Sequence, residues 1–275
     1  MAHFRTTFKT EVTKGLARLT TVQPVVENDI AFLPEPVQNY LCYIGAIGKP
    51  KVQNFHAMFS GQMKRTEHGK WMDIAAEQYN FYDRPTRLFY ISSSMLGIPF
   101  DGLHIYSGNT ATMRIQLASL LPVVNAYGPI MTKGETVTLF NDMCVLAPAT
   151  LIDKHIRWET IDALTVNATF TNQNYTISAV ISFNEKGELI NFVSDDRYLN
   201  VKGNTFENIR WSTPVKDYKE LNGQKLASSA EAIWHMPQGE YVYAQFKLTH
   251  IEYNVKTLAM ERIQSVGCHA LPWTV

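Results

Sequence analysis

The sequence predicts an α+β protein, mainly β, in which a curved antiparallel sheet forms a half-open or closed β-barrel covered by two or three helices. Three observations carry this. Leu164, Val166, Ala168 and Phe170, and then Tyr175, Ile177, Ala179, Ile181 and Phe183, alternate with the period of two expected of strands that bury one face. Glu231 to Val255 reads as two long strands joined at Pro237-Gln238-Gly239. On the second of them Val242, Ala244, Phe246 and Leu248 share one face, and Tyr241, Tyr243, Gln245 and Lys247 the other. The apolar register then slips by one residue at Thr249-His250 and resumes at Ile251, Tyr253 and Val255, which marks a β-bulge and a bend. Finally, about a dozen candidate strands show no fixed internal repeat, which favours a barrel or half-barrel over a propeller.

Three segments are expected: an amphipathic amino-terminal segment (1–31), a single β-rich half-barrel domain (32–255) and a carboxy-terminal extension (256–275). In the first, Phe4, Phe8, Val12, Leu16 and Leu19 form a ridge at helical spacing, with Arg5, Lys9, Lys14 and Arg18 around it. Such a ridge packs on its own domain or lies on an anionic membrane surface, so peripheral membrane contact is one expectation. Pro34-Glu35-Pro36 opens a second helix with a stripe at Val37, Tyr40, Leu41 and Ile44, stopped by Gly45 and Gly48. Strand signals follow at Val52–Phe59, Trp71–Tyr79, Arg87–Ser92, Leu103–Tyr106 and Thr110–Leu117.

An apolar loop is expected over Leu120–Pro129, then a helix over Thr132–Val145, capped by Thr132 and buried through Val137, Phe140, Met143 and Cys144. Strands resume at Ile156–Ile161, Leu164–Thr171, Tyr175–Phe183, Glu188–Val193, Asn208–Thr213 and Lys225–His235, with Asn184 to Gly187 as a hairpin turn.

The composition narrows the function classes. The chain has 275 residues, 45% of them hydrophobic, enough for a sizeable core. Lys plus Arg equal Asp plus Glu at 25 each, and no basic stripe is present, so no nucleic-acid partner is expected. Cys42, Cys144 and Cys268 are odd in number and contain no CxxC pair, which points to a reducing compartment. With no apolar leader and no run long enough to span a bilayer, the expected location is cytoplasmic, or peripheral at a membrane surface.

No G-x-S-x-G elbow, phosphate loop, dinucleotide fingerprint or H-E-x-x-H helix occurs, and no cofactor is expected. The eight histidines show no helical metal spacing, so no metal is expected either. The candidate ligand-binding residues are Trp71, Glu77, Tyr79, Arg197, Trp211, Glu231, Trp234 and His235. The aromatics are core or cavity wall, which in a half-barrel are the same surface. Arg197 either pairs with Asp195 and Asp196 in a turn or holds a ligand's polar end.

The blocks FLPEPVQNYL, WMDIAAEQYN, PATLI, RWETID, DDRYL, EAIWHM and HIEYN stand in order across residues 32 to 254. Together they resemble a large uncharacterised bacterial domain family. That resemblance implies no activity and carries no catalytic residues. At fold level the chain is also similar to the half-barrels of lipoprotein carriers, where an antiparallel sheet wraps an apolar groove under helices. The expected function is binding of an apolar or amphipathic, lipid-like small molecule in the concave face. The alternative is a hydrolytic or other acid/base enzyme using Glu77, Glu231 or Asp196 with His235 in the same cavity.

Overall fold

A computed structural model of the chain describes residues 2–95, 98–118, 121–202 and 205–258. Within them, six strands form a first antiparallel meander: β1 (Asn54–Met63), β2 (Met72–Phe81), β3 (Thr86–Met95), β4 (Ile98–Ser107), β5 (Thr110–Leu117) and β6 (Leu121–Tyr127). A second run comprises β7 (Ile156–Asp162), β8 (Thr165–Asn172), β9 (Tyr175–Phe183) and β10 (Leu189–Ser194). It continues, after a short hairpin of β11 (Tyr198–Lys202) and β12 (Thr205–Asn208), into β13 (Trp211–Leu221), β14 (Gln224–Met236) and β15 (Gly239–Tyr253). The two runs join where β1 pairs antiparallel with β15, giving one 13-stranded sheet ordered β6-β5-β4-β3-β2-β1-β15-β14-β13-β10-β9-β8-β7.

The sheet is strongly curved but not closed, since β6 and β7 are its two edges. Curvature nevertheless brings distant strands together: Asn172 Nδ2 at the end of β8 donates to the Tyr106 hydroxyl on β4. Bulges supply part of the bend. Met58 pairs with His250 and Phe59 with Leu248, so Thr249 is the extra residue, at the expected slip, and its hydroxyl donates to Met58 O at 2.9 Å. A second bulge lies opposite Ala232/Ile233 and leaves Tyr243 as the extra residue. It corrects the expected facing of β15: Tyr241 and Tyr243 join Ala244 and Phe246 along the concave surface.

One helix fills the concavity. α4 (Pro129–Val145) connects the two runs, and from Met131 to Thr150 every residue except Lys133 is buried. Phe140 stacks on Phe170 at 5.2 Å and meets Phe192 edge-on at 5.7 Å. The expected stripe of Val137, Phe140, Met143 and Cys144 is buried, and so is the opposite, polar side. The helix begins three residues before the expected start. Gly128 holds φ +103° at its amino end, and Thr132 lies inside the helix, where its hydroxyl bonds back to Gly128 O at 2.9 Å and accepts from Ala111 N.

The segment expected as an apolar loop, 120–129, is largely strand β6, paired with β5; its exposed Leu121, Val123 and Tyr127 gave an apolar run without a core-facing period. β13 also extends past Thr213 through Pro214 to Leu221, while Asn208 ends β12.

α3 (Glu35–Tyr43) buries Val37, Tyr40 and Leu41 against this core, with the Tyr40 hydroxyl donating to Cys144 O at 2.9 Å. α2 (Glu27–Ile30) precedes it. α1 (Ala2–Leu16) lies on the other, convex face. Its Phe4, Phe8 and Val12 are buried with Tyr79, Phe81, Leu88, Tyr90 and Leu103 from β2, β3 and β4. The apolar ridge of α1 is thus occupied by its own sheet. Gly15 allows the approach, because a Cβ there would meet the Phe81 ring at 2.3 Å. The expected extension, 256–275, lies outside the described residues from 259 onward.

The β1–β15 seam makes a specific prediction. A Cβ on Gly61 would stand 2.0 Å from the Gln245 carbonyl oxygen, which is backbone and cannot swing away. Gly61→Ala is expected to cost about 2 kcal/mol through overpacking, read as a lowered urea midpoint with an unchanged slope.

Candidate functional site

Between the concave face and α4 lies a half-open cavity of about 400 Å³. Its wall is built by alternate residues of neighbouring strands: Phe59 and Met63 of β1, Phe89 and Ile91 of β3, Met113 and Ile115 of β5, and Phe246 of β15. The β11–β12 hairpin adds Tyr198, Leu199 and Phe206. From α4 come Met131, Glu135, Thr138, Asp142 and Val145, spaced so that they share one side of the helix.

The polar side of that helix organises a buried charge cluster. Asp142 Oδ2 accepts from Gln78 Nε2 at 2.7 Å, Arg87 Nε at 2.8 Å and Asn80 Nδ2 at 2.9 Å. Glu135 stands between two guanidiniums, with Arg197 at 3.1 Å and Arg87 at 3.4 Å. Burial pushes the Glu135 carboxyl up, but Arg197 and Arg87 outweigh it and hold it below the usual carboxylate range. For Asp142 burial outweighs Arg87, Asn80 and Gln78, and its carboxyl is raised. His104 on β4, against Phe89, is pushed down to about 4, chiefly by burial. Two cations and two carboxyls thus balance around a neutral imidazole.

Arg197 is the residue that reaches out of this balance. Its guanidinium lies 5.0 Å from the Trp211 ring and 5.8 Å from the Trp234 ring, and it donates to Gly134 O at 2.9 Å. Its Nε is buried and has no partner among the described residues, as are Asn141 Nδ2 and Thr213 Oγ1. All three residues line the cavity. Buried donors without partners cost about 1–3 kcal/mol each, so this side of the cavity wall carries polar groups that the fold itself leaves unsatisfied.

The sequence candidates divide between two faces. Arg197, Trp211, Glu231 and Trp234 line the cavity, and Glu231 accepts from Gln245 Nε2 at 2.9 Å. Glu77 and Tyr79 face the convex side under α1, where Glu77 pairs with Arg5 and His56. Trp71 is exposed, beneath Lys64, beside a hollow of about 410 Å³ whose rim is largely exposed and which holds no buried ion cluster. His235 bonds Ser212 Oγ at 2.8 Å and faces Glu240 at 3.5 Å, away from the cavity lining. Asp195 and Asp196 do not hold Arg197 as expected. Asp195 pairs with Arg210 at 2.7 Å, and Asp196 with Lys133 at 2.6 Å. The carboxylates named for acid/base work therefore do not converge on His235.

Arg87, His104, Glu135, Asn141 and Asp142 were missed by sequence reasoning. A signal existed: Glu135 and Asp142 sit seven residues apart in a helix whose other positions are mostly apolar or small. Such acids need cationic partners, but the sequence does not say which.

The model of a family of unknown function, DUF6544, matches residues 23–246. No curated protein matches the chain. Among solved structures, it is similar to a domain provisionally described as outer membrane lipoprotein-sorting from Vibrio parahaemolyticus, with 10% identity, 80% of this chain and 91% of that one covered, and a TM-score of 0.43. A LolA superfamily protein from Nitrosomonas europaea has 10% identity, coverage of 79% and 93%, and a TM-score of 0.40. A DUF1329 family protein from Desulfovibrio piger has 8% identity, coverage of 81% and 93%, and a TM-score of 0.37.

Proposed function

Because the chain belongs to the DUF6544 family, whose function is unknown, its role has to be read from its own site, and we propose that the concave face binds an amphipathic, lipid-like small molecule. The observation that supports this is a cavity of about 400 Å³ whose wall is largely apolar and includes Arg197, Asn141 and Thr213, three residues that each carry a buried polar atom without a partner. That volume suits a small organic ligand, and the mixture of a largely apolar lining with a few placed polar groups is what such ligands require. The ligand's apolar body packs on Phe59, Met63, Phe89 and Phe246, and its polar end accepts from Arg197 and its neighbours.

Native mass spectrometry of freshly purified protein, followed by extraction, tests for a bound ligand directly. In parallel, anthroyloxy-palmitate fluorescence should report saturable binding. Ala230→Trp, which fills the cavity from β14, should abolish that signal while the circular dichroism spectrum stays native. Arg197→Lys should weaken binding by about tenfold, because the planar fork and its stacking on Trp211 and Trp234 are lost although the charge is kept. A protein that carries nothing when purified and gives no saturable signal with the probe would end this reading.

A further inference from the structure

We propose that His56, His250 and Glu252 form a binding site for a divalent transition-metal ion, such as Zn2+, on the convex face of the sheet and independent of the cavity. The three side chains offer ligand atoms that all lie within 4.8 Å of one another. Two of those atoms are already at a working spacing. His250 Nε2 and Glu252 Oε1 are 3.4 Å apart, and bonds of 2.0–2.1 Å to one tetrahedral ion place ligand atoms ~3.3 Å apart.

The backbone produces this grouping. His56 on β1 pairs directly with Glu252 on β15, so the two side chains rise from the same face. His250 stands two residues before Glu252 and shares that face only because of the extra residue at Thr249. Leu248 and Ile251 are both buried in the core, so an unbroken alternation would send His250 inward with Leu248. The bulge turns the imidazole outward to His56, their rings meeting edge to face at 5.7 Å.

Support around His56 is of the kind metal-bound histidines use. The ring is 3% exposed and stacks on Tyr79 at 4.4 Å, and its Nε2 bonds Glu77 Oε1 at 3.1 Å. Glu77 is in turn held by Arg5 of α1. A carboxylate on one ring nitrogen fixes the ring's orientation and occupies Nε2, which leaves Nδ1 for the ion. His250 and Glu252 are about half exposed, which gives an ion access and lets both side chains close on it. Two imidazoles and one carboxylate suit Zn2+ and its first-row neighbours and do not suit Mg2+ or Ca2+, which prefer all-oxygen sets. Three protein ligands leave a fourth position to water.

The test uses the full chain stripped of metal by chelation. Zn2+ titration by calorimetry, and Co2+ titration by visible absorption, should each show one saturable site per chain. His250→Ala and Glu252→Ala change exposed positions, so both should keep the native melting temperature and lose the site. Glu77→Gln should keep the stoichiometry and weaken binding by roughly 10–100-fold. His155→Ala removes an exposed histidine that also faces a carboxylate, Asp153 at 2.7 Å, and should change nothing. Absence of a saturable site in the wild-type chain, or a site that survives both His250→Ala and Glu252→Ala, would show the cluster to be an ordinary polar patch and overturn the proposal. Anthroyloxy-palmitate binding in the cavity should be the same in all these variants.

Discussion

Arg87→Leu is expected to destabilise the fold by about 3–5 kcal/mol, measured as a lowered urea midpoint at neutral pH. The guanidinium is 7% exposed and serves two acids at once, Asp142 at 2.8 Å and Glu135 at 3.4 Å. Leucine fills part of the space but leaves Asp142 with only the neutral amides of Gln78 and Asn80. Glu135 retains Arg197, so the cost falls mainly on Asp142. Adding Asp142→Asn should recover a good part of the loss, because the uncharged carbonyl still accepts from Gln78 or Asn80 while the stranded charge is gone. Failure of the double variant to exceed Arg87→Leu in stability would mean that Arg87 acts through packing instead of neutralisation.

Acid should weaken the protein well above the range in which carboxylates titrate. His104 ionises at about 4 in the fold against an ordinary 6.5, because burial disfavours its charged form and Arg87 and Arg197 repel it, Glu135 offsetting only part. Below pH 6.5 the unfolded chain takes up a proton that the folded chain refuses. Stability therefore falls from pH 6.5 to about 4 and then levels off, by on the order of 3 kcal/mol from this group. Glu135, held low, adds its loss as pH falls from its ordinary carboxylate value through its lower folded one, and Asp142, held high, takes up a proton in the fold and opposes the trend. His104→Gln keeps both acids and removes only the imidazole. Its urea midpoint should change much less than the wild type's between pH 6.5 and 4.5; equal slopes would place His104 in contact with water in solution.

The strands and the Thr249 bulge were legible because they are local. Alternation at Leu164–Phe170 and Tyr175–Phe183 is written by neighbours two residues apart, and the slip at Thr249 is visible without knowing the partner strand. The bulge at Tyr243, by contrast, breaks the alternation expected over Tyr241–Leu248 and shows only in the pairing with β14. The blocks from FLPEPVQNYL to HIEYN likewise follow the chain, and the matched family spans nearly the same residues. Arg197, Trp211, Glu231 and Trp234 could be picked out because each is a large polar or aromatic group in or beside a strand. Nothing local said that Tyr79 and Glu77 face the opposite way, beneath α1, because both faces of β2 carry large side chains.

The strands, most of their alternation, the bend at Thr249 and the covering helices are therefore properties of local sequence. Which face became concave, and which charges met there, follows only from the way the whole sheet curls. Arg87, Glu135, Asp142 and Arg197 come from β3, α4 and the turn before β11, far apart in the chain, and each alone is an unremarkable charge. Their meeting depends on how far the sheet curls around α4, which is a sum over every strand pair and bulge. The same holds for His56 and His250, which become neighbours only when the first strand pairs with the last. A period describes how one segment meets an apolar surface; it holds no information on which distant segment supplies that surface, and buried charge is arranged by the second fact.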